Sequence, residues 1–307
     1  MMLTYRPVKS GIHRLNPFVM LSWLACVLIM SMVSQHPLWL LGILLSTAVI
    51  AVRAGVVRQW KAVMKLVLWM AGAIVLINAI AGNQGSHVLL QAAFRLPLVG
   101  SPRLTVEALA FGGTMAVRLA AIISAFALLN LCVHPDDLMR AAIKLRLPYR
   151  SVLVTSLSVR FIPVLMQDAR TIMDVQRSRG LSFDAGGLAQ KIRSRGALIL
   201  PLLANSLDRA VMVAEAMESR AYGTAVQRTY YRETRLTASD ILLMITVWTG
   251  FVLVLWSHFA GVGAYTYYPS LSSLSLSPTG WLMLGALCTT LCSLAAAGGI
   301  LPERPND

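Results

Sequence analysis

The sequence predicts an all-α membrane protein with about six transmembrane helices and a cytoplasmic layer of long amphipathic helices. Two observations of composition support this fold class. Hydrophobic residues make up 57% of the 307-residue chain and charged residues only 13%, a balance typical of membrane proteins. The hydrophobic residues also gather into separate runs, and most basic residues lie between particular runs rather than evenly along the chain. We therefore expect several membrane crossings, with more basic residues on one side of the membrane than on the other.

The apolar runs have roughly the length of 17–25 residues that carries a helix across a bilayer. The first two are at the short end, and only Ser34-Gln35-His36-Pro37 separates them, so we expect a tight helical hairpin there. Buried helices of a soluble protein are the alternative, which the number of runs argues against. The runs cover residues 18–33, 38–52, 66–81, 106–133, 241–259 and 281–300.

The basic residues orient the chain. Of its 27 Lys and Arg residues, all except Arg95, Arg103 and Arg118 fall in segments on one side of the predicted spans. Loops on the cytoplasmic side carry an excess of Lys and Arg, so this side is cytoplasmic. The N-terminus is then cytoplasmic, and the protein lies in the cell (inner) membrane as a multi-pass protein. The net charge of +14 is explained by topology, and a nucleic-acid partner is not expected.

The longest basic segment divides the chain into three regions. We expect N-terminal transmembrane helices in residues 1–133, a cytoplasmic helical region in 134–239 and C-terminal transmembrane helices in 240–307. In the middle region, a helix begins at His134-Pro135-Asp136-Asp137 and ends at Leu147-Pro148. Two long helices follow, over about 152–179 and 188–220. Polar residues recur on one face of each, which predicts amphipathic helices rather than additional spans.

Each long helix ends in an arginine between two small residues. The two motifs are Ser178-Arg179-Gly180 and Ser219-Arg220-Ala221. Gly180 supplies the left-handed conformation that often terminates a helix. With small neighbours, the guanidinium group is exposed, and its planar donors suit a carboxylate-lined pocket on a partner. An arginine that only binds the last carbonyls of its own helix is the alternative for either motif alone. The repetition favours two equivalent docking points.

No chemistry of its own is predicted for this chain. A phosphate-binding loop with Gly-x-x-x-x-Gly-Lys-Ser/Thr is absent from the sequence, and no histidine or acid accompanies the cysteines at metal-ligand spacing. We therefore predict no catalytic residue, metal or cofactor, and not an enzyme. The cysteines, Cys26, Cys132, Cys288 and Cys292, are interpreted as buried small hydrophobic residues.

The two arginine motifs, Ser178-Arg179-Gly180 and Ser219-Arg220-Ala221, resemble the paired Ala-Arg-Gly motifs of the transmembrane T component of energy-coupling-factor (ECF) transporters. Shorter similarities occur in the family's order over about residues 11–260. They are His13-Arg14-Leu15-Asn16-Pro17, Thr105-Val106-Glu107 with the following Ala116-Val117-Arg118-Leu119, Pro135-x-Asp137-Leu138 and Arg160-Phe161-Ile162-Pro163. The sequence departs from the family pattern at Asn16, where the family has an acid, and at Ala221, where it has glycine. The run 281–300 resembles an extra span.

The resemblance implies a coupling subunit of an ECF-type ABC importer. Two ABC ATPase subunits would bind the long helices, and a separate small membrane protein, the substrate-binding S component, would bind a vitamin or a transition metal. The T component would transmit ATP-driven motion from the ATPases to the S component. The resemblance places ATPase coupling at Ser178, Arg179, Gly180, Ser219, Arg220 and Ala221. The nature of the cargo stays open, because another protein recognises it.

Two polar residues lie inside predicted spans. A charge at mid-span is costly and usually faces other helices or a water-filled interior. We interpret Arg118 as holding helices of the bundle together, with a place in a substrate path as the alternative. Glu107 lies about 16 Å along the same helix at the standard rise, too far to be its direct partner. Asn78 is expected to form an interhelical hydrogen bond.

Two other functions remain as alternatives. A membrane-embedded, Mg-dependent enzyme of lipid or diphosphate metabolism would use acids near a membrane surface, and His134, Asp136, Asp137, Asp168 and Asp174 are candidates. Asp136 and Asp137 are adjacent and diverge by about 100° on a helix, so a helix-capping role is favoured. An ordinary ABC permease would have one short coupling segment instead of two long arginine-terminated helices.

Overall fold

The computed structural model describes residues 11–82, 85–91, 103–144, 148–181, 183, 187–223, 237–269 and 271–300. These residues form an all-α membrane protein, as predicted, with one short pair of strands that the sequence did not predict. The chain divides into two compact units, the first from residues 1–138 and 235–307 and the second from residues 139–234.

The first unit is a helical bundle. Its helices are α1 (Pro17–Val33), α2 (Pro37–Arg53), α3 (Val57–Ala81), α4 (Val106–Cys132), α8 (Ala238–Phe259) and α9 (Pro278–Ile300), and a short 3₁₀ helix (Gly11–Arg14) precedes them. The strands β1 (Val88–Gln91) and β2 (Arg103–Thr105) pair antiparallel before α4. Helix α5 (Pro135–Lys144) follows α4 and continues from the first unit into the second, which also contains α6 (Tyr149–Ser178) and α7 (Leu188–Ser219).

Local sequence explains where several helices begin. The Asn16 side chain accepts a hydrogen bond from the Phe18 backbone at 3.2 Å, and Pro17 occupies the first helical position. Asparagine caps a helix about as well as aspartate, so this departure from the family pattern preserves the cap. At α8, the Asp240 carboxylate accepts from the Thr237 backbone at 3.0 Å, which is one half of a capping box.

The core of the bundle lies between α1, α2, α4, α8 and α9. Trp23, Ile43, Leu128, Val247 and Leu291 are fully buried in it. Small residues allow helices to approach closely, as is common between membrane helices. A Cβ atom at Gly42 would lie 3.2 Å from the Cys288 sulfur, and one at Gly250 would collide with Thr290.

The last apolar run is therefore part of the bundle. Helix α9 packs against α2 and α8, and Leu287, Leu291 and Leu294 are buried. By contrast, α3 packs chiefly on α4 and leaves a broad apolar face exposed, with Trp69 80% accessible. In a membrane, lipid or another protein covers such a face.

Six described helices are long and apolar enough to cross a membrane, but they are not the six that the sequence runs predicted. Helices α6 and α7 qualify by length and composition, whereas α1 and α2, at 17 residues each, fall just short. About half of the residues in each short helix are buried in the bundle, and 17 residues is the lower limit for a span. Length and composition alone therefore do not separate α6 and α7 from spans. Their cytoplasmic position stays a prediction.

Candidate functional site

Helix α6 ends in a tight, fully bonded cap at the first arginine motif. The Leu181 backbone N–H donates to the Gln176 carbonyl at 3.0 Å, and the Gly180 N–H donates to the Arg177 carbonyl at 2.9 Å. These two hydrogen bonds define a Schellman motif. Gly180 has φ +88°, in the left-handed region that glycine adopts at little cost. The sequence prediction of a left-handed stop at Gly180 agrees with this conformation.

Helix α7 ends in the same way at the second motif. The Tyr222 N–H donates to the Met217 carbonyl at 2.9 Å, and the Ala221 N–H donates to the Glu218 carbonyl at 2.8 Å. Ala221 takes the position of Gly180 with φ +52°, the one positive φ of a non-glycine residue among those described. For an L-residue with a Cβ atom this conformation costs roughly 1–2 kcal/mol. The second cap therefore holds the same geometry with more strain.

The two arginines occupy equivalent positions in the two caps. Arg179 has φ −85° and ψ 7°, and Arg220 has φ −92° and ψ 13°. Both residues are exposed, and neither guanidinium is paired with an acid among the residues the structure describes. The backbone thus presents two arginines in the same way, each at the end of a rigid helix. Such groups are available to carboxylates of a partner.

The small residues beside the arginines are tied to their own helices. The Ser178 hydroxyl donates to the Asp174 carbonyl at 3.1 Å, and the Ser219 hydroxyl donates to the Ala216 carbonyl at 3.1 Å. Each serine therefore contributes a small, locally satisfied side chain. This arrangement leaves space around each guanidinium.

An ion pair joins α6 and α7 within the second unit. Arg209 Nη2 donates to Asp168 Oδ2 at 2.8 Å, and the two side chains are 40% and 21% exposed. Phe161, Leu165 and Ser206 line a small cavity beside Arg209. From the sequence, Asp168 was only a candidate metal ligand, whereas the structure gives it an arginine partner. A chain of polar residues at helical spacing does not reveal which helix it faces.

Arg118 connects α4 to the end of α1. Its Nη2 atom donates to the Ser34 carbonyl at 2.8 Å, and Tyr267 Oη donates to the neighbouring Gln35 carbonyl at 2.7 Å. The His36 ring contacts Tyr265 edge-on with centroids 5.3 Å apart. Burial lowers the pKa of His36, which suits its Nδ1 accepting from the Leu38 backbone at 3.3 Å. Arg118 is placed as the expected interhelical link would require, and this role stays a proposal.

Asn78 differs from the expectation. Its amide nitrogen donates to the Ile74 carbonyl of its own helix at 2.9 Å, rather than to another helix. Asn78 lies where α3 and α4 approach closely, and a Cβ atom at Gly112 would lie 3.1 Å from the Asn78 Cβ. A glycine opposite the amide brings the backbones together and leaves the amide to bond locally.

Two polar clusters in the first unit were not predicted from the sequence. Glu107 is completely buried and accepts from Ser86 Oγ at 2.9 Å and from the His87 backbone at 3.1 Å, with His87 Nδ1 at 2.8 Å. Elsewhere, Trp60 Nε1 donates to Ser124 Oγ at 2.7 Å, and that hydroxyl donates to Thr47 Oγ1 at 2.8 Å. Single polar residues within apolar runs are the only sequence signal for such contacts.

The turn at the start of α5 is formed by backbone hydrogen bonds. The backbone N–H groups of Asp137 and Leu138 donate to the His134 carbonyl at 3.0 and 3.2 Å, which starts the helix. The side chain of Asp136 lies outside the described part. Within that part, no three His, Cys, Asp or Glu residues form a group able to hold a metal ion.

Comparison with known proteins gives a consistent result. The sequence model of the cobalt transport protein family, CbiQ, matches residues 8–231. The chain is 30% identical over 253 residues to the energy-coupling factor transporter transmembrane protein EcfT of Streptococcus equi subsp. equi, covering 79% of this chain and 91% of that protein. It is 28% identical over 263 residues to the EcfT protein of Heliobacterium modesticaldum, covering 82% and 95%.

A third relative is much longer than this chain. The putative ABC transporter ATP-binding protein BL0043 of Bifidobacterium longum is 29% identical over 251 residues, which is 78% of this chain and 31% of that protein. The chain thus spans less than a third of the length of the Bifidobacterium protein.

Proposed function

This chain belongs to the CbiQ family of cobalt transport proteins and is a transmembrane component of an ECF transporter, and on that premise we propose that it couples two ATPases to a separate substrate-binding subunit. In an ABC-type complex of this kind, the membrane component works with ATPase and S components.

The observation that carries the proposal is the pair of matching caps at the ends of α6 and α7. Each presents an exposed arginine at the C-cap position, with small residues on both sides. The two ATPase subunits each receive one arginine in a carboxylate-lined pocket, Arg179 in one and Arg220 in the other. Ser178, Gly180, Ser219 and Ala221 keep the surroundings of the arginines small.

The link between α6 and α7 gives the coupling a physical route. ATP binding brings the two ATPase subunits together, and the docked helix ends move with them. Because the Arg209–Asp168 ion pair joins the two helices, motion of one helix is passed to the other. The change in the arrangement of α6 and α7 is then transmitted to the S component. The nucleotide chemistry belongs to the ATPases, and this chain contributes no catalytic residue.

The apolar surface of the two helices supports a membrane-side partner. Large apolar side chains on α6 and α7 are exposed, among them Val154, Ile162, Ile199, Leu200, Leu203, Leu207, Val211 and Met212. An exposed apolar surface of this extent marks a contact with another protein or with lipid. We propose that the S component and membrane lipid cover it. The arginine ends of the helices face the cytoplasm.

The distribution of basic residues supports this topology. We propose a cytoplasmic N-terminus, a position in the cell membrane, and spans formed by α1–α4, α8 and α9. The cargo is a vitamin or a transition metal ion. The S component recognises it, so the residues of this chain do not distinguish between these classes.

Co-purification of the membrane complex tests the proposal. A tagged chain should retain both ATPase subunits, whereas the variant Arg179→Ala/Arg220→Ala should retain neither and should lose nearly all transport. Truncating one partner of a desolvated charge pair costs about 2–5 kcal/mol, so each single variant should weaken retention by at least about thirtyfold.

The matched control is Arg170→Ala combined with Arg195→Ala. Both residues are exposed arginines, one on each helix and away from the caps. This control should retain the ATPases and transport normally. Wild-type retention and transport by the Arg179→Ala/Arg220→Ala variant would reject the docking proposal.

A further inference from the structure

The two caps have equivalent hydrogen bonds, so each residue of one cap has an equivalent residue in the other. Two residues before the cap arginine, the first helix has Arg177 and the second has Glu218, and both carbonyls accept the same cap hydrogen bond. Three residues further back, both helices have an acid, Asp174 and Glu215. The caps therefore match in geometry but carry opposite charge at one equivalent position.

The surroundings of these residues extend the difference. The Arg177 side chain is 52% exposed, with Nη1 3.7 Å from Asp174 Oδ1. Its guanidinium carbon lies 6.0 Å from the centre of the buried Phe183 ring. Glu218 is exposed. From the shared acid to the cap arginine, the first end has one acid and two arginines and the second has two acids and one arginine. Their net charges have opposite sign.

We propose that Arg177 and Glu218 determine which ATPase subunit binds which helix end. The proposal rests on the docking function proposed above. The end of α6 then binds a subunit whose pocket has an acidic rim, and the end of α7 binds a subunit whose pocket has a basic rim. The two ATPase subunits are two different polypeptides that do not exchange positions.

Charge at the rim suits this selective role. Cap arginines in desolvated pockets supply affinity at both ends alike, since their geometry is the same. Charges at the edge of an interface change association rates and disfavour wrong partners by like-charge contact. Exposed pairs contribute roughly 0.2–1 kcal/mol each, so two of them give a preference of about twofold to thirtyfold. Salt should weaken this preference, because the charges are exposed.

Site-specific photocrosslinking in the complete complex tests the proposal. Benzoylphenylalanine replaces Leu181 in one sample and Tyr222 in another, each directly after its cap, and mass spectrometry identifies the labelled ATPase. We expect the two probes to label different ATPase polypeptides, each with a preference of about twofold to thirtyfold. In the variant Arg177→Glu/Glu218→Arg, the preferences should reverse or disappear.

Two further measurements guard against a merely structural effect of the exchange. The variant Asp174→Glu/Glu215→Asp exchanges two residues without altering charge and should keep the wild-type preferences. In the probe-bearing complex without the charge exchange, raising NaCl from about 0.05 M to about 0.5 M should reduce the labelling preference. A preference that persists unchanged in high salt would overturn the electrostatic explanation.

The outcomes separate this proposal from the one on which it rests. If both probes label the same polypeptide, or if the charge exchange leaves the preferences unaltered, subunit selection by Arg177 and Glu218 is wrong while docking stands. If neither probe labels an ATPase, the docking function itself is wrong.

Discussion

The membrane bundle and the α6–α7 pair are both rich in apolar residues, yet they bury them very differently. Leu128 of α4 is completely buried among its neighbours, whereas Leu200 of α7 is 75% exposed. The bundle helices have neighbours on several sides, and within the second unit α6 and α7 pack on each other. The bundle is therefore stabilised by its own packing, and the α6–α7 pair requires lipid or partner proteins to cover its surface.

Leucine truncation should reveal this contrast most strongly. Leu128→Ala leaves a cavity in the packed core and should lower the free energy of unfolding by about 2 kcal/mol or more. Leu200→Ala removes an exposed side chain and should change it by less than about 0.5 kcal/mol. Denaturant titration of the purified protein measures both. Equal losses would mean that α7 is packed as tightly as the bundle.

Glycine substitution should show the same contrast between the bundle and α7, with a smaller effect. A side chain at Gly250 meets Thr290 of α9, whereas one at Gly196 of α7 meets nothing within 4 Å. Gly250→Leu should therefore destabilise the protein by about 1–3 kcal/mol through overpacking. Gly196→Leu should be neutral or mildly stabilising because leucine favours helix more than glycine does. If thermal unfolding gave the two variants the same midpoint, the contrast in packing would be disproved.

Removing the Arg209–Asp168 ion pair should loosen only the second unit. Asp168→Asn leaves the half-buried guanidinium without its charged partner, at a cost of roughly 1 kcal/mol. Amide hydrogen exchange in α6 and α7 should then accelerate about fivefold. Exchange in α4 should not change, and neither should exchange in the control Arg170→Gln. Faster exchange throughout the bundle would show that the ion pair stabilises more than the second unit.

The smallest effects concern the two caps, and they should have opposite signs. Ala221→Gly relieves a left-handed alanine and should stabilise the end of α7 by about 0.5 kcal/mol. Gly180→Ala introduces the same strain and should destabilise the end of α6 by about 1 kcal/mol. Local hydrogen exchange at Tyr222 and Leu181, whose N–H groups close the caps, measures each change. Changes of the same sign would show that the two caps are not equivalent.

The sequence was sufficient for the local features of the candidate site. Small residues around Arg179 and Arg220 predicted exposed helix ends, and Gly180 predicted the left-handed turn. Both depend on backbone conformation within a few residues, so sequence spacing carries the information. Equivalence of the second cap was harder to predict, because Ala221 adopts a conformation that its residue type disfavours.

Contacts between distant helices were not predictable in the same way. The sequence did not indicate that Asp168 pairs with Arg209. It also did not indicate that Glu107 accepts hydrogen bonds from Ser86 and His87. Asn78 was expected to bond across helices and bonds to its own instead. Each of these contacts depends on how one helix is rotated against another. Periodicity identifies a polar face but not what lies opposite it.

By itself, the sequence determined the all-α membrane class and the two arginine-terminated helices, because apolar run length and cap chemistry are local properties. The resemblance to ECF T components, carried by short motifs in order, was confirmed by the family match over residues 8–231. Only the tertiary structure decided that α9 belongs to the bundle, that Arg118 binds the end of α1, and that α6 and α7 leave their apolar side chains exposed. The physical reason is that burial depends on which surfaces meet after folding, and similar apolar helices can be enclosed in one place and left uncovered in another.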